Sequence, residues 1–185
     1  GPRVLEFNCR FGDPETQAIL PRLEGDLLGA LAAIAEGSLA GVELAAGPES
    51  AVTVVLAAAG YPDAPESGAP IVGLDEAEAA GGLVFHAGTA VRSGELVATG
   101  GRVLAVTALG ESVGEARERA YRAVEQIELP GVQYRQDIAL AAVIYEMLVG
   151  EVPRVWPTEN EVRTGRFSEA PVTHLAGVDR AGAHH

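Results

Sequence analysis

The segment running from Val4 to Phe11 alternates strictly. Val4, Glu6, Asn8 and Arg10 fall on one side, and Leu5, Phe7, Cys9 and Phe11 on the other. This period of two predicts an extended strand over residues 3–11 with one face turned to a core. The opposite face carries a carboxylate, an amide oxygen and a guanidinium in a row. Placing such groups beside a core costs free energy unless they line a site. Directly after the strand, Gly12 permits a tight turn, Asp13 suits an N-cap and Pro14 suits the first helical position. Glu15 then falls in the first helical turn, where the helix dipole favours an acid. The chain therefore predicts a strand that runs straight into a helix.

Alternate residues on a strand lie about 6.6 Å apart, two steps of roughly 3.3 Å. Glu6 and Asn8 can then converge on one cation or a close pair. Both offer hard oxygen atoms, which Mg²⁺ and Mn²⁺ favour. Arg10 sits one step further on, and its planar fork suits a carboxylate or a phosphate. Cation ligands and an anion fork on one line match the needs of phosphoryl transfer, where catalysis is mostly positioning and charge stabilisation. The same alternation also fits an edge strand with a solvated polar face. Asp13 and Glu15 fit a role as capping residues as well as one in contacting substrate.

The stretch Glu-Phe-Asn-Cys-Arg-Phe-Gly-Asp-Pro-Glu-Thr-Gln resembles the terminal metal-binding strand of the ATP-grasp ligases. Among these it is most similar to the phosphoribosylamine–glycine ligase (glycinamide ribonucleotide synthetase) family of purine biosynthesis. Only Cys9 departs from that pattern, on the core-facing side, where the family has Val and a small apolar-like residue is tolerable. Further landmarks resemble the family in order: Leu20-Pro-Arg-Leu-Glu24, Val54-Val-Leu-Ala57 with Gly60-Tyr-Pro62, Phe85-His-Ala-Gly-Thr89, Thr99-Gly-Gly-Arg-Val-Leu104, Val106-Thr-Ala-Leu-Gly110 and Tyr134-Arg-Gln-Asp-Ile138. The resemblance spans residues 1–140 and belongs to the last third of the family's chain.

The resemblance implies an α+β fold: the end of an ATP-grasp domain (strand plus helix), followed by a small β-meander/helix C-terminal domain. The expected boundaries are 1–40 for the first part and 48–140 for the second, with 141–185 an unassigned, disordered tail. It implies ATP-dependent joining of glycine to 5-phosphoribosylamine, with Glu6 and Asn8 holding Mg²⁺ or Mn²⁺ and ATP as co-substrate. Arg10 would be the catalytic residue that holds an anion. Asp13 and Glu15 would be further substrate contacts. Gly1 begins almost on the strand and there is no initiating Met, so a fragment is expected, inactive by itself. Two alternatives stay open: another ATP-grasp carboxylate–amine ligase or carboxylase, and a non-catalytic C-terminal module.

Composition narrows the partners. The net charge is −13, which argues against nucleic acid or an anionic membrane, since phosphate backbones need a basic footprint. Small-molecule substrates are expected instead, and an anionic nucleotide would depend on Mg²⁺ and placed arginines. Every basic residue is Arg, so a catalytic Lys is excluded from this chain. The single cysteine cannot form an internal disulfide or a thiolate zinc cluster, and the start shows no secretory pattern. A cytoplasmic protein is the expectation.

The remaining pattern predicts a helix over 14–36, kinked or split at Pro21 and ended by Gly37. Strands are predicted over 52–58, 83–92, 95–99 and 102–109, with a loop over 60–70. A short strand is predicted at 70–73 and a helical turn at 74–80. Ser93-Gly94 reads as a hairpin turn, and Gly100-Gly101 as another. Residues 111–126 predict an amphipathic helix with Ala116, Ala120, Val124 and Ile127 on its buried face. Ser112 and Glu115 form a capping-box pattern at its start. Residues 141–148 can extend a further helix. His86 is a candidate acid or base on a strand, and Arg102 a candidate phosphate contact. Trp156, His174, His184 and His185 read as plain tail.

Overall fold

The computed structural model describes residues 10–149. Glu6 and Asn8, the opening strand up to Cys9, and the tail from Gly150 lie outside the described residues. Arg10 and Phe11 are described, and they correct the predicted strand end: Arg10 is in a bend, Phe11 is irregular, and the Phe11 ring is exposed rather than turned to a core.

Helix α1 (Glu15–Ile19) is short and passes into a 3₁₀ turn at Leu20–Arg22, with Pro21 at the turn's start. The helix predicted over 14–36 is therefore split at Pro21, one of the two outcomes expected there, with a short strand between its halves. A proline lacks the N–H that an α-helix needs at that point. The chain instead extends into β1 (Leu23–Gly25), which pairs antiparallel with β2 (Leu44–Ala46). The Arg22 side chain reinforces this pairing by donating from Nη2 to the Gly47 carbonyl at 2.9 Å. Helix α2 (Leu27–Ala35) restarts behind Asp26, whose carboxylate accepts the Gly29 N–H at 2.8 Å. Gly37 follows the last turn with φ +75°, as a helix-ending glycine should.

The core lies in the second half. Strand β3 (Ser50–Ala57) pairs with β7 (Arg102–Gly110), which also pairs with β4 (Leu83–His86), all antiparallel. The sheet order is β3–β7–β4, so the expected meander is corrected: the last strand sits in the middle. Its sequence explains this, because Val103, Leu104, Ala105, Val106 and Ala108 are apolar on both faces and all are buried. Strands β5 (Thr89–Arg92) and β6 (Glu95–Ala98) form a separate hairpin. Its two-residue turn is Ser93-Gly94, both with positive φ (55° and 86°), which matches the twist of the flanking strands.

Two strand predictions need adjustment at glycines. The strand predicted over 83–92 splits into β4 and β5, because Gly88 turns there and donates its N–H to the Arg102 carbonyl at 2.9 Å. Gly100-Gly101 does not close a hairpin, since β6 pairs with β5 and β7 with β3 and β4. Both glycines have positive φ, and they let the chain cross from the small sheet to the central strand.

Helix α4 (Val113–Val124) covers one face of the three-stranded sheet. Val52, Val54, Leu56, Leu104, Val106 and Ala108 share that face, and they join Ala116, Ala120, Ala123 and Val124 in one buried cluster. Alanines on the helix let it lie close to the sheet, and each fully buried Leu or Val contributes roughly 1.5–3 kcal/mol. Ser112 caps α4 by accepting the Glu115 N–H at 3.1 Å. The Glu115 carboxylate reaches back to the Glu111 N–H at 2.7 Å, one residue beyond the usual reciprocal partner.

Helix α3 (Leu74–Ala79) also packs on the cluster through Ala77. Residues 60–70 form the expected loop. The predicted short strand at 70–73 is reduced to single bridges at Pro70 and Val72. The chain ends its described part in α5 (Leu140–Val149), so the disordered tail expected from 141 is corrected for residues 141–149.

Candidate functional site

The described part of the predicted site is a polar corner where the chain enters α1. Arg10 opens it with a largely exposed side chain, its Nη1 lying 3.8 Å from Glu15 Oε1. Glu15 Oε1 also accepts the Gly12 N–H at 2.9 Å. The Gly12 carbonyl in turn accepts the Thr16 N–H at 2.9 Å and the Thr16 hydroxyl at 2.5 Å. Gly12 is thus closed into a single tight turn by its N–H and its carbonyl together. Glu15 does sit in the first helical turn, as predicted, and there it serves the N-terminal backbone.

Asp13 departs from its predicted role. The N-cap position is Pro14, and no side chain caps it. The Asp13 carboxylate caps no backbone N–H of the helix and is shared between two side-chain partners. Its Oδ1 accepts from Gln17 Nε2 at 3.1 Å, and its Oδ2 pairs with Arg102 Nη2 at 3.2 Å. Arg102 Nη1 donates to the Asp13 carbonyl at 3.3 Å. The arginine predicted as a possible phosphate contact is therefore engaged within the chain.

A second link joins α1 to the sheet. Thr107 is fully buried, and its hydroxyl donates to the Gln17 carbonyl at 3.0 Å. A hydroxyl has one hydrogen to give. The Thr53 hydroxyl, 2.7 Å away across the strands, must therefore be the donor in the Thr53–Thr107 contact. Thr53 and Thr107 are direct cross-strand partners, on the face opposite α4. Sequence reasoning missed both threonines. The available signal was a hydroxyl placed in the middle of the aliphatic run Val103–Leu109.

His86 is not joined to this corner. Its Nδ1 lies 3.1 Å from the Thr89 hydroxyl across the turn between β4 and β5. Among the described residues, no group of three or more His, Cys, Asp or Glu side chains is placed to hold a metal. No described helix is long and apolar enough to cross a membrane. Elsewhere, the Arg135 fork holds the exposed Asp137 carboxyl below the usual carboxylate range through paired hydrogen bonds of 2.9 and 2.7 Å. A surface groove runs between Val72 and Leu129, on residues separate from the corner.

The architecture defines a small α+β domain, preceded by a segment whose first helix is bound to the outer face of the sheet. Residues 51–141 match the family described as phosphoribosylglycinamide synthetase, C domain. Over 146 residues the chain is 50% identical to the phosphoribosylamine–glycine ligase of Mesorhizobium japonicum, covering 79% of this chain and 34% of that protein. It is 53% identical to the Streptomyces coelicolor ligase of the same name, covering 77% of this chain and 35% of the relative. The crystal structure of the Thermotoga maritima phosphoribosylamine–glycine ligase aligns with a TM-score of 0.64 at 42% identity, over 75% of this chain and 34% of that one. Residues 51–141 belong to the phosphoribosylglycinamide synthetase C-domain family, and the chain is similar to these ligases in their C-terminal part. It spans about a third of the length of these relatives.

Proposed function

We propose that this chain supplies the C-terminal third of a ligase that uses ATP to join glycine to 5-phosphoribosylamine in purine biosynthesis, in the cytoplasm. The match of residues 51–141 to the synthetase C domain is the observation that supports this reading most. In the reaction, the glycine carboxylate takes the terminal phosphoryl group of ATP and ADP leaves. The amine of phosphoribosylamine then attacks the acyl carbon and phosphate leaves.

Arg10 would hold an anionic oxygen group, either the glycine carboxylate or the transferring phosphoryl. Its exposed guanidinium, which among the described residues meets only Glu15 at 3.8 Å, suits that task. Glu15 closes the turn beside it and stands as a further substrate contact, whereas the Asp13 carboxylate is engaged by Arg102 and Gln17. Glu6 and Asn8 would hold Mg²⁺ or Mn²⁺, which supplies charge neutralisation on the ATP phosphates. Their all-oxygen donor set fits such an ion.

The first part of the described chain also fits this reading. Phe11, Ile19, Leu28, Leu31, Ile34 and Leu39 all expose much of their side chains. So many exposed large apolar side chains in one segment call for a covering surface. The part of the enzyme outside the match would provide it.

A bacterial strain lacking its phosphoribosylamine–glycine ligase provides the test. The chain is substituted for the matching third of the Streptomyces coelicolor relative. Growth without added purine is expected from this fusion and not from its Glu6→Gln or Asn8→Ala versions. A soluble, folded fusion that fails to restore growth would overturn the proposal.

A further inference from the structure

The polar corner contains two carboxylates and two guanidinium groups, and their pairing is selective. Asp13 is taken by Arg102, which arrives from β7, 89 residues further along the chain. The contact has two points, at 3.2 Å to the carboxylate and 3.3 Å to the main-chain carbonyl. Among the described residues, it leaves Arg10 with only the long contact to Glu15. The Asp13–Arg102 side chains are 42–50% exposed, so the pair contributes little to stability. What it supplies is geometry and charge balance. Without Arg102 the corner would hold the two carboxylates of Asp13 and Glu15 against the single guanidinium of Arg10 and turn net negative. An anionic substrate group would then meet repulsion from an unneutralised Asp13.

We infer that Arg102 is a positioning residue, which engages Asp13 so that Arg10 remains free for an anionic oxygen group of the substrate. This rests on the ligase reading of the preceding section. The link from Thr107 to the Gln17 carbonyl fixes the far end of the same turn to the same strand, so β7 sets the corner at both ends.

The test is steady-state kinetics of the ligase fusion that contains the full chain. Arg102→Gln is expected to raise the KM of one anionic substrate at least about tenfold, with kcat changed less than about threefold. A rise for glycine assigns Arg10 to the carboxylate, and a rise for ATP assigns it to the phosphoryl group. Adding Asp13→Asn to Arg102→Gln is expected to restore most of the KM, because the competing carboxylate is gone. A merely structural role predicts no such rescue. Unchanged KM in Arg102→Gln, or a double variant no better than the single, would overturn the inference. If the unmodified fusion is inactive, the ligase reading itself fails. The chain alone still decides the tether: Arg102→Gln should accelerate hydrogen exchange at the Thr16 amide at least about tenfold, and unchanged exchange contradicts it.

Discussion

Replacing Thr107 by Val tests whether the hydroxyl relay holds α1 to the sheet. The substitution preserves shape and removes one oxygen at a fully buried position. The Gln17 carbonyl then loses its 3.0 Å donor, and the Thr53 hydroxyl loses its acceptor at 2.7 Å. Leaving a buried polar group unpaired costs about 1–3 kcal/mol. The added apolar group offsets up to about 0.8 kcal/mol. With two groups losing their partners, the net destabilisation is about 1–5 kcal/mol, or a fall in Tm of roughly 2–20 °C for a chain of this size. Urea unfolding followed by circular dichroism measures it, with the slope checked for two-state behaviour. Thr53→Val in the Thr107→Val background should recover part of the loss, because the orphaned hydroxyl is removed. A neutral or stabilising Thr107→Val, or strictly additive costs for the two substitutions, would refute the relay.

Leu56→Ala empties a fully buried position beneath α4 and should cost about 2–5 kcal/mol in the same assay. Gly73→Ala should cost at least about 2 kcal/mol, because φ there is +86° and the new Cβ would strike the Gln126 carbonyl. For Asp137, an NMR titration should give a midpoint below the ordinary carboxylate range, and Arg135→Gln should return it to that range. Because the folded-state value is depressed, the pair's small stabilisation is present above the ordinary carboxylate pKa. It is lost as pH falls through the folded-state value.

The sequence made the second half of the fold readable because local and long-range preferences agree there. Alternating or continuous apolar runs gave the strands, and the spacing of Ala116, Ala120 and Val124 gave α4 with its buried face. Ser112 capped that helix as its position predicted. The failures lie where a distant contact decides. The central place of β7 was legible in the run Val103–Ala108, apolar on both faces, but which strands flank it is decided by pairing between distant segments. Helix 14–36 is split at Pro21 as expected, but nothing local announced that the residues after it would pair as β1 with β2. Asp13 looked like a cap, but a guanidinium 89 residues away claims its carboxylate. The twelve-residue motif remained the guide to the site, and Arg10, Asp13 and Glu15 do share one corner. Arg102 and the two threonines join that corner only through the fold.

Formation of glycinamide ribonucleotide from labelled glycine, ATP and phosphoribosylamine is the most direct measurement of the central claim. The purified fusion carrying this chain should produce it, with one ADP released per product. Glu6→Gln should abolish it, and the chain alone should give none. A fusion that is folded and binds ATP yet transfers no label, or one that keeps full activity with Glu6→Gln, would contradict the proposed function.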